Sequence, residues 1–224
     1  MLKIGHRGAR GVVAENTIKS FEEAIKEGVN AVELDVRETK DKKLVVFHDE
    51  KVDKLTNAKG YVRDFTLEEI KKLRVNGVGE IPTLEEALDF LKNKKVKVLI
   101  EIKEPGTEPK VLEEIKKRKM EKNCIIVSFY KEALEKVKQI DEKIETGLIF
   151  VKDKEAIENA LKIKANYILP LYHFTHSSDI EKAHKNGLKV IVWTINDKEE
   201  AKRFKEKGVD GIATDFPEVL KDLC

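Results

Sequence analysis

AIKEGVNAVELDV, residues 24–36, reads as the end of an amphipathic helix, a glycine that stops it, and a strand that starts at once. Glycine just past the last helical residue takes the left-handed conformation that ends a helix without strain. The same order recurs in AHKNGLKVIVW, residues 183–193, and FKEKGVDGIAT, residues 204–214, with stops at Gly187 and Gly208. Helices that lead straight into short apolar strands, repeated along a chain, mark βα units around a parallel sheet. Strands are expected near residues 2–6, 31–36, 96–102, 124–128, 145–149, 166–170, 188–193 and 210–214. Eight of them suggest closure into a (β/α)8 TIM barrel. A chain of 224 residues suits one α/β domain spanning 1–224. Other helix signals agree: Asn16 or Thr17 can cap the first helix, and Thr83 with Glu86 forms a capping box after Pro82.

The rhythm breaks after Val36. Parallel strands need a connection of about a dozen residues or more, and the stretch from Val36 to Leu44 is too short for one. LVVFHD, residues 44–49, must therefore run back antiparallel to ELDV, residues 33–36. A turn centred on Asp41 and Lys42 would face Lys40 with Lys43 and carry the register on to Asp35 opposite His48. Residues 49–81 then form a small insertion, with a helix begun by Thr66 and Glu69 and glycines at 77 and 79. Its expected role is to shape a pocket over the barrel mouth or to cover the open side of the hairpin.

In a barrel of this type reactive groups sit at the carboxyl ends of strands. His6 and Arg7, inside GHRGARG at 5–11, end the first strand; Glu33 and Asp35 end the second; Glu101 and Lys103 end the third; Trp193 ends the seventh. Side-chain direction alternates along a strand, so Glu33 and Asp35 share a face. Three carboxylates at one mouth repel one another unless a hard cation neutralises them, and oxygen-only ligands favour one Mg²⁺ or Ca²⁺ over zinc. The competing reading is a salt-bridge cluster with Arg7, Arg37 and Lys103. His6 and His48 could supply the base and the acid that phosphodiester hydrolysis needs near neutral pH; the plainer alternatives are a buried, hydrogen-bonded imidazole or a metal ligand. Arg7 and Lys103 suit a phosphate and the charge that develops on it. Trp193 is either core packing or a ring offered to an aliphatic or polyol group. His173 is a candidate pocket wall, and His176 and His184 fall at a helix start and a helix surface.

The formal charge of +2, from 44 basic and 42 acidic residues, leaves no global field to draw in nucleic acid or an acidic membrane. Lysine runs such as 116–119 belong to amphipathic helices and read as solvated faces. Met1 leads directly into a strand, with no leader-like segment and no apolar run of membrane-spanning length. Cys124 and Cys224 read as unpaired thiols in a reducing compartment. A cytoplasmic protein without stable membrane insertion is expected, as a monomer or a small homo-oligomer.

Taken in order, GHRGARG, ENT, VELDVRETKD, VVFHDE, IPTLEEAL, LIEIK, VSF, VIVWTIND and DGIATDFP resemble the glycerophosphodiester phosphodiesterase family across nearly the whole chain. The resemblance implies a phospholipase C-like phosphodiesterase barrel, with residues 49–81 as the family's inserted segment. It also implies hydrolysis of a small-molecule glycerophosphodiester to an alcohol and sn-glycerol 3-phosphate. On it, His6 and His48 are the acid/base pair, Glu33, Asp35 and Glu101 the ligands of one divalent cation, Arg7 and Lys103 the phosphate binders, and Trp193 the glycerol side of the pocket. Ala14 stands where the family often has proline before Glu-Asn-Thr, and Glu15 and Asn16 are expected to brace the loop. Two alternatives accompany this reading: a lysophospholipase D, which needs an apolar groove built from residues such as Leu55, Tyr61, Val62 and Phe65, and a non-catalytic phosphate-ligand binding protein.

Overall fold

The computed structural model describes residues 1–223; Cys224, read above as an unpaired thiol, lies outside the described residues. The strands are β1 (Leu2–Gly5), β2 (Ala31–Glu38), β3 (Leu44–Val46), β4 (Arg74–Val75), β5 (Gly79–Glu80), β6 (Lys97–Ile102), β7 (Cys124–Ser128), β8 (Glu145–Phe150), β9 (Tyr167–Pro170), β10 (Lys189–Val192) and β11 (Gly211–Thr214). Around them lie α1 (Ile18–Lys26), α2 (Leu67–Lys72), α3 (Leu84–Leu91), α4 (Glu108–Lys117), α5 (Lys131–Ile140), α6 (Ala156–Lys162), α7 (Ser177–Lys185) and α8 (Lys198–Glu206). Parallel pairing runs β1-β2-β6-β7-β8-β9-β10-β11 and returns from β11 to β1, so the eight expected strands close a TIM barrel. The helix signals hold as well: Thr17 accepts from Ser20 N at 3.2 Å, Thr66 and Thr83 both form capping boxes, and Gly28, Gly187 and Gly208 end α1, α7 and α8 at φ 92°, 76° and 85°.

Strand alternation sorts the core into two layers. Ile4, Leu99, Ile125, Ile149, Leu169 and Ile191 point into the barrel. Val32, Leu34, Val98, Ile126, Val190 and Ile212 point outward, beneath Phe21, Leu88, Leu134 and Phe204 of the helices. Each such side chain taken out of water contributes roughly 1.5–3 kcal/mol. The inward parity continues past the last apolar layer to His6, Glu33, Asp35, Glu101, Lys103 and Trp193, and thus carries them to the mouth.

The hairpin forms, but its register departs from expectation by one residue. Val36 faces Val46, Arg37 faces Val45 and Glu38 faces Leu44, so His48 is not opposite Asp35; Phe47 N instead donates to Asp35 O at 3.0 Å. The cause is a three-residue loop, Lys40 to Lys42, closed by Thr39 N to Lys43 O at 2.9 Å with Lys42 at φ 64°. Thr39 Oγ1 locks it, bonded to Asp41 Oδ1 at 2.7 Å and accepting from Lys43 N at 3.0 Å. This register sends Val46 to the outer core beside Val36, and Val45 and Phe47 to a second, smaller core. β1 is short and covers only Ala31 and Val32 of β2, which leaves the edge at Val36–Glu38 open for β3.

That smaller core belongs to the insertion. Val52, Val62, Ile70, Val75 and Ile81 are buried there with Val45, Phe47 and Ala14, and Leu55 and Phe65 pack against them. Tyr61 lies between Lys51 and Arg63, each 4.7 Å from its ring centre. Most apolar residues of 49–81 are therefore spent on covering the hairpin, and of the side chains considered for an acyl groove Leu55, Val62 and Phe65 pack into this core while Tyr61 stays outside it. Only polar residues of the insertion, Glu50, Arg63 and Asp64, reach the groove that borders Lys103.

Candidate active site

The site starts from the turn after β1. Arg7 sits at φ 52° and Gly8 at φ 80°, and the turn folds onto α1 so closely that a Cβ on residue 8 would overlap Ser20. Ser20 fastens it, accepting from Ala9 N at 2.9 Å and donating to Arg7 O at 2.9 Å. In this conformation Arg7 N points at Glu33 Oε2, 2.8 Å away. The Arg7 guanidinium bonds Glu15 Oε1 at 2.8 Å, while its Nε lies 3.2 Å from Asp35 Oδ2 but off the line of a hydrogen bond. Asn16, at φ 57°, donates to Asp35 Oδ2 at 2.8 Å. Glu15 and Asn16 thus brace the loop, as expected.

Asp35 on β2 is in register with Glu101 on β6, and one oxygen from each of Glu33, Asp35 and Glu101 falls within 4.8 Å of the others. All three are buried. Lys103 Nζ bonds Glu101 Oε1 at 2.7 Å and lies 3.5 Å from Asp35 Oδ1. The salt-bridge reading is half realised, because Arg37 turns away to His48 O (2.7 Å) and Glu104 (2.7 Å). Three carboxylates therefore face two cations, and Glu33 Oε1 and Asp35 Oδ1 accept no hydrogen bond. Burying such oxygens unpaired is costly. The donor set fits a hard cation: all oxygen, anionic, clustered, with orphaned lone pairs.

The proton affinities carry the same imprint. Burial first, then the Asp35 charge, pushes Glu33 well above the usual carboxylate range and Glu101 up to about 7. Burial would raise Asp35 too, but Arg7, Lys103 and His48 outweigh it and hold it low. The cluster resists bearing three negative charges by itself.

His6 and His48 flank the triad. His6 Nε2 stands 3.9 Å from Glu33 Oε2, and its Nδ1 contacts Asp215 Oδ1 at 2.7 Å. His48, just beyond β3, contacts Asp49 Oδ1 through Nδ1 at 2.5 Å. Burial lowers both imidazoles below their usual value, partly offset by Asp215 for His6 and Asp35 for His48. Both histidines, the triad's Glu33 and Glu101, Arg7 and Lys103 line one cavity of about 320 Å³, floored by Leu99, Val127, Ile149, Leu169 and Ile191. Trp193 forms its wall, with Nε1 donating to Leu169 O at 2.8 Å and its ring edge-on to Phe129 at 5.8 Å.

Every residue chosen from the sequence reaches this mouth except His173, which stacks on Tyr172 at 3.9 Å and does not line the cavity. His176 caps α7 and His184 pairs with Asp210 at 2.9 Å. Sequence reasoning missed Asp215, Asp49 and Phe129. Parity could have found Asp215, two residues after inward Ala213. VSF gave no chemical reason to choose Phe129.

Among known families, residues 6–219 match the model of the glycerophosphoryl diester phosphodiesterase family. A glycerophosphodiester phosphodiesterase of Caldanaerobacter subterraneus is 42% identical, covering 99% of this chain and 97% of its own. Among solved structures, a glycerophosphodiester phosphodiesterase from Thermotoga maritima aligns at TM-score 0.86 with 32% identity, covering 100% of this chain and 99% of that one. An Oleispira antarctica phosphodiesterase in complex with the product sn-glycerol-3-phosphate aligns at TM-score 0.87 with 25% identity, covering 96% and 93%.

Proposed function

The chain belongs to the glycerophosphoryl diester phosphodiesterase family and is a phosphoric diester hydrolase; from that premise we propose that it cleaves small glycerophosphodiesters to an alcohol and sn-glycerol 3-phosphate. The observation that carries this reading is the buried triad Glu33, Asp35 and Glu101 set between His6 and His48 at one barrel mouth. The sn-glycerol-3-phosphate bound to the Oleispira relative supports the same product here.

Each residue has a part to play. Glu33, Asp35 and Glu101 would hold one divalent cation, Mg²⁺ or Ca²⁺, whose Lewis acidity polarises the phosphoryl group when it is bound. Arg7 and Lys103 orient the phosphate and offset charge that grows on its oxygens. One histidine takes the proton of the attacking oxygen, and the other protonates the departing alkoxide. The apolar floor and Trp193 hold the glycerol carbons and keep bulk water from the reacting phosphate. We take the barrel with its insertion to act as one unit.

No helix among the described residues is long and apolar enough to cross a membrane. The experiment is a panel of glycerophosphocholine, glycerophosphoethanolamine, glycerophosphoglycerol and a lyso-phospholipid, assayed with Mg²⁺, Ca²⁺ or chelator. Release of glycerol 3-phosphate from the soluble diesters, lost on chelation, is expected; no release under any metal would sink the proposal. His6→Ala and His48→Ala should each lower turnover by about 10²-fold or more.

A further inference from the structure

Of the family pattern, VIVWTIND and DGIATDFP supply more than Trp193. Their loops, after β10 and β11, meet beneath His6. Asp215 Oδ1 contacts His6 Nδ1 at 2.7 Å, and Asp215 Oδ2 accepts from Asn196 Nδ2 at 2.8 Å. Asn196 returns the grip through its own oxygen, which accepts from Asp215 N at 2.8 Å and from Thr214 Oγ1 at 3.1 Å. The backbone joins in, with His6 N donating to Thr214 O at 2.8 Å and Gly11 N to Asp215 O at 2.9 Å. The carboxylate is thus fixed on both sides of the histidine it faces, and Arg10 Nε lies 3.7 Å from Oδ1.

A carboxylate can only accept a hydrogen bond, so the ring nitrogen facing it must carry the hydrogen. We propose that Asp215, braced by Asn196, is a positioning residue that holds His6 as the Nδ1–H tautomer and presents the bare Nε2 to the carboxylate triad. The distances agree: with Nδ1 tied down, Nε2 is the nitrogen turned toward Glu33. Burial leaves His6 little solvent with which to exchange one tautomer for the other. Asn196 also sets what Asp215→Asn would do. Asn196 Nδ2 already donates to Asp215 Oδ2, so an amide that keeps its oxygen there turns its NH₂ to His6 and forces the hydrogen onto Nε2.

The inference rests on His6 acting in catalysis, and its test separates the two. Metal-loaded enzyme labelled with ¹⁵N-histidine, with His6→Gln to assign the signal, should show a pyrrole-type Nδ1 and a pyridine-type Nε2 for His6. Asp215→Asn should exchange the two types and lower kcat by roughly 10²–10⁴-fold, with KM and the metal-binding midpoint close to wild type. Asn196→Ala, which loosens Asp215 without removing it, should lower kcat by a smaller factor and mix the two tautomers. A wild-type His6 with hydrogen on Nε2 would overturn the proposal even if the Asp215 variant failed to fold. So would Asp215→Asn enzyme with wild-type kcat, or with an unchanged ¹⁵N pattern. A wild-type protein that releases no glycerol phosphate refutes the functional reading alone, because the tautomer is measured without turnover.

Discussion

Glu101→Gln isolates what the buried triad does in the absence of its cation. Glutamine keeps the volume, its oxygen can go on accepting from Lys103 Nζ, and its amide can donate toward Asp35, in register across the β2–β6 ladder. What it removes is one negative charge. Burial and Asp35 move Glu101 from 4.5 to about 7, and a carboxyl raised in the folded state keeps a proton that the unfolded chain has already lost. The Glu101 contribution to the stability of the metal-free wild type should therefore fall as pH rises from about 4.5 to about 7, and level off above. The rise in pKa is worth on the order of 3 kcal/mol. In chelator at pH 8 the Gln variant should be more stable than wild type by that order, roughly 6–12 °C in Tm for a domain of this size, and the gap should close near pH 5. Added Mg²⁺ or Ca²⁺ should reverse the ranking, because wild type gains about 4.1 kcal/mol at a thousandfold excess over Kd while the variant gains little. Thermal melts across pH, with chelator and with metal, are the assay. A variant less stable than wild type in chelator at pH 8, a gap independent of pH, or a wild-type metal shift in the variant would each rule out charge repulsion in the triad as the cause.

Two further outcomes follow from the turn after β1 and from the buried thiol. Gly8→Ala meets both a left-handed φ and an overlap with Ser20, so it should lose at least about 1–3 kcal/mol and displace His6 and Arg7. Gly28→Ala, with φ 92° and no atom within 4 Å of the new Cβ, should lose only the strain of about 1–2 kcal/mol and keep full activity; equal losses in melts of the two would remove the packing argument. Burial pushes the Cys124 thiol up to about 12, so in a Cys224→Ser background it should resist alkylation at pH 8 until denatured. Rapid labelling of the native variant would show that this thiol is accessible.

The parts of the fold that the sequence makes legible are those where a local rule and a global one coincide. A helix stop such as Gly187 is required by the backbone whatever packs around it, and the strand after it is short and apolar because it is buried on both faces. Inward parity did the same for the site: Ile4 to His6, Ala31 to Glu33 and Asp35, and Leu99 to Glu101 and Lys103 each step by two from the barrel core to its mouth. The hairpin register escaped because TKDKK is polar throughout, and the choice between a two- and a three-residue loop rests on whether Lys42 takes φ 64°. The buried valines decide it, since the observed register puts Val46 in the outer core and Val45 and Phe47 in the small one.

That small core also explains why the insertion's function was ambiguous. Val52, Val62, Ile70 and Val75 follow neither strand nor helix periodicity over any length, so the sequence shows that they are apolar but not which surface they cover. The surface they cover is the face of the hairpin that carries Val45 and Phe47 and leads to His48. Arg37, opposite Val45, ties the same unit together, donating to His48 O and to Glu104. The apolar part of the insertion buttresses the hairpin, while its Glu50, Arg63 and Asp64 reach the groove beside Lys103. His6 is held by Asp215 and Asn196 from the last two barrel loops, whereas His48 is held by a hairpin, an adjacent Asp49 and the packing behind it. The two histidines meet at one cavity from hydrogen-bonded supports that share no residue, so damage to the insertion core should loosen His48 while leaving the His6 tautomer intact.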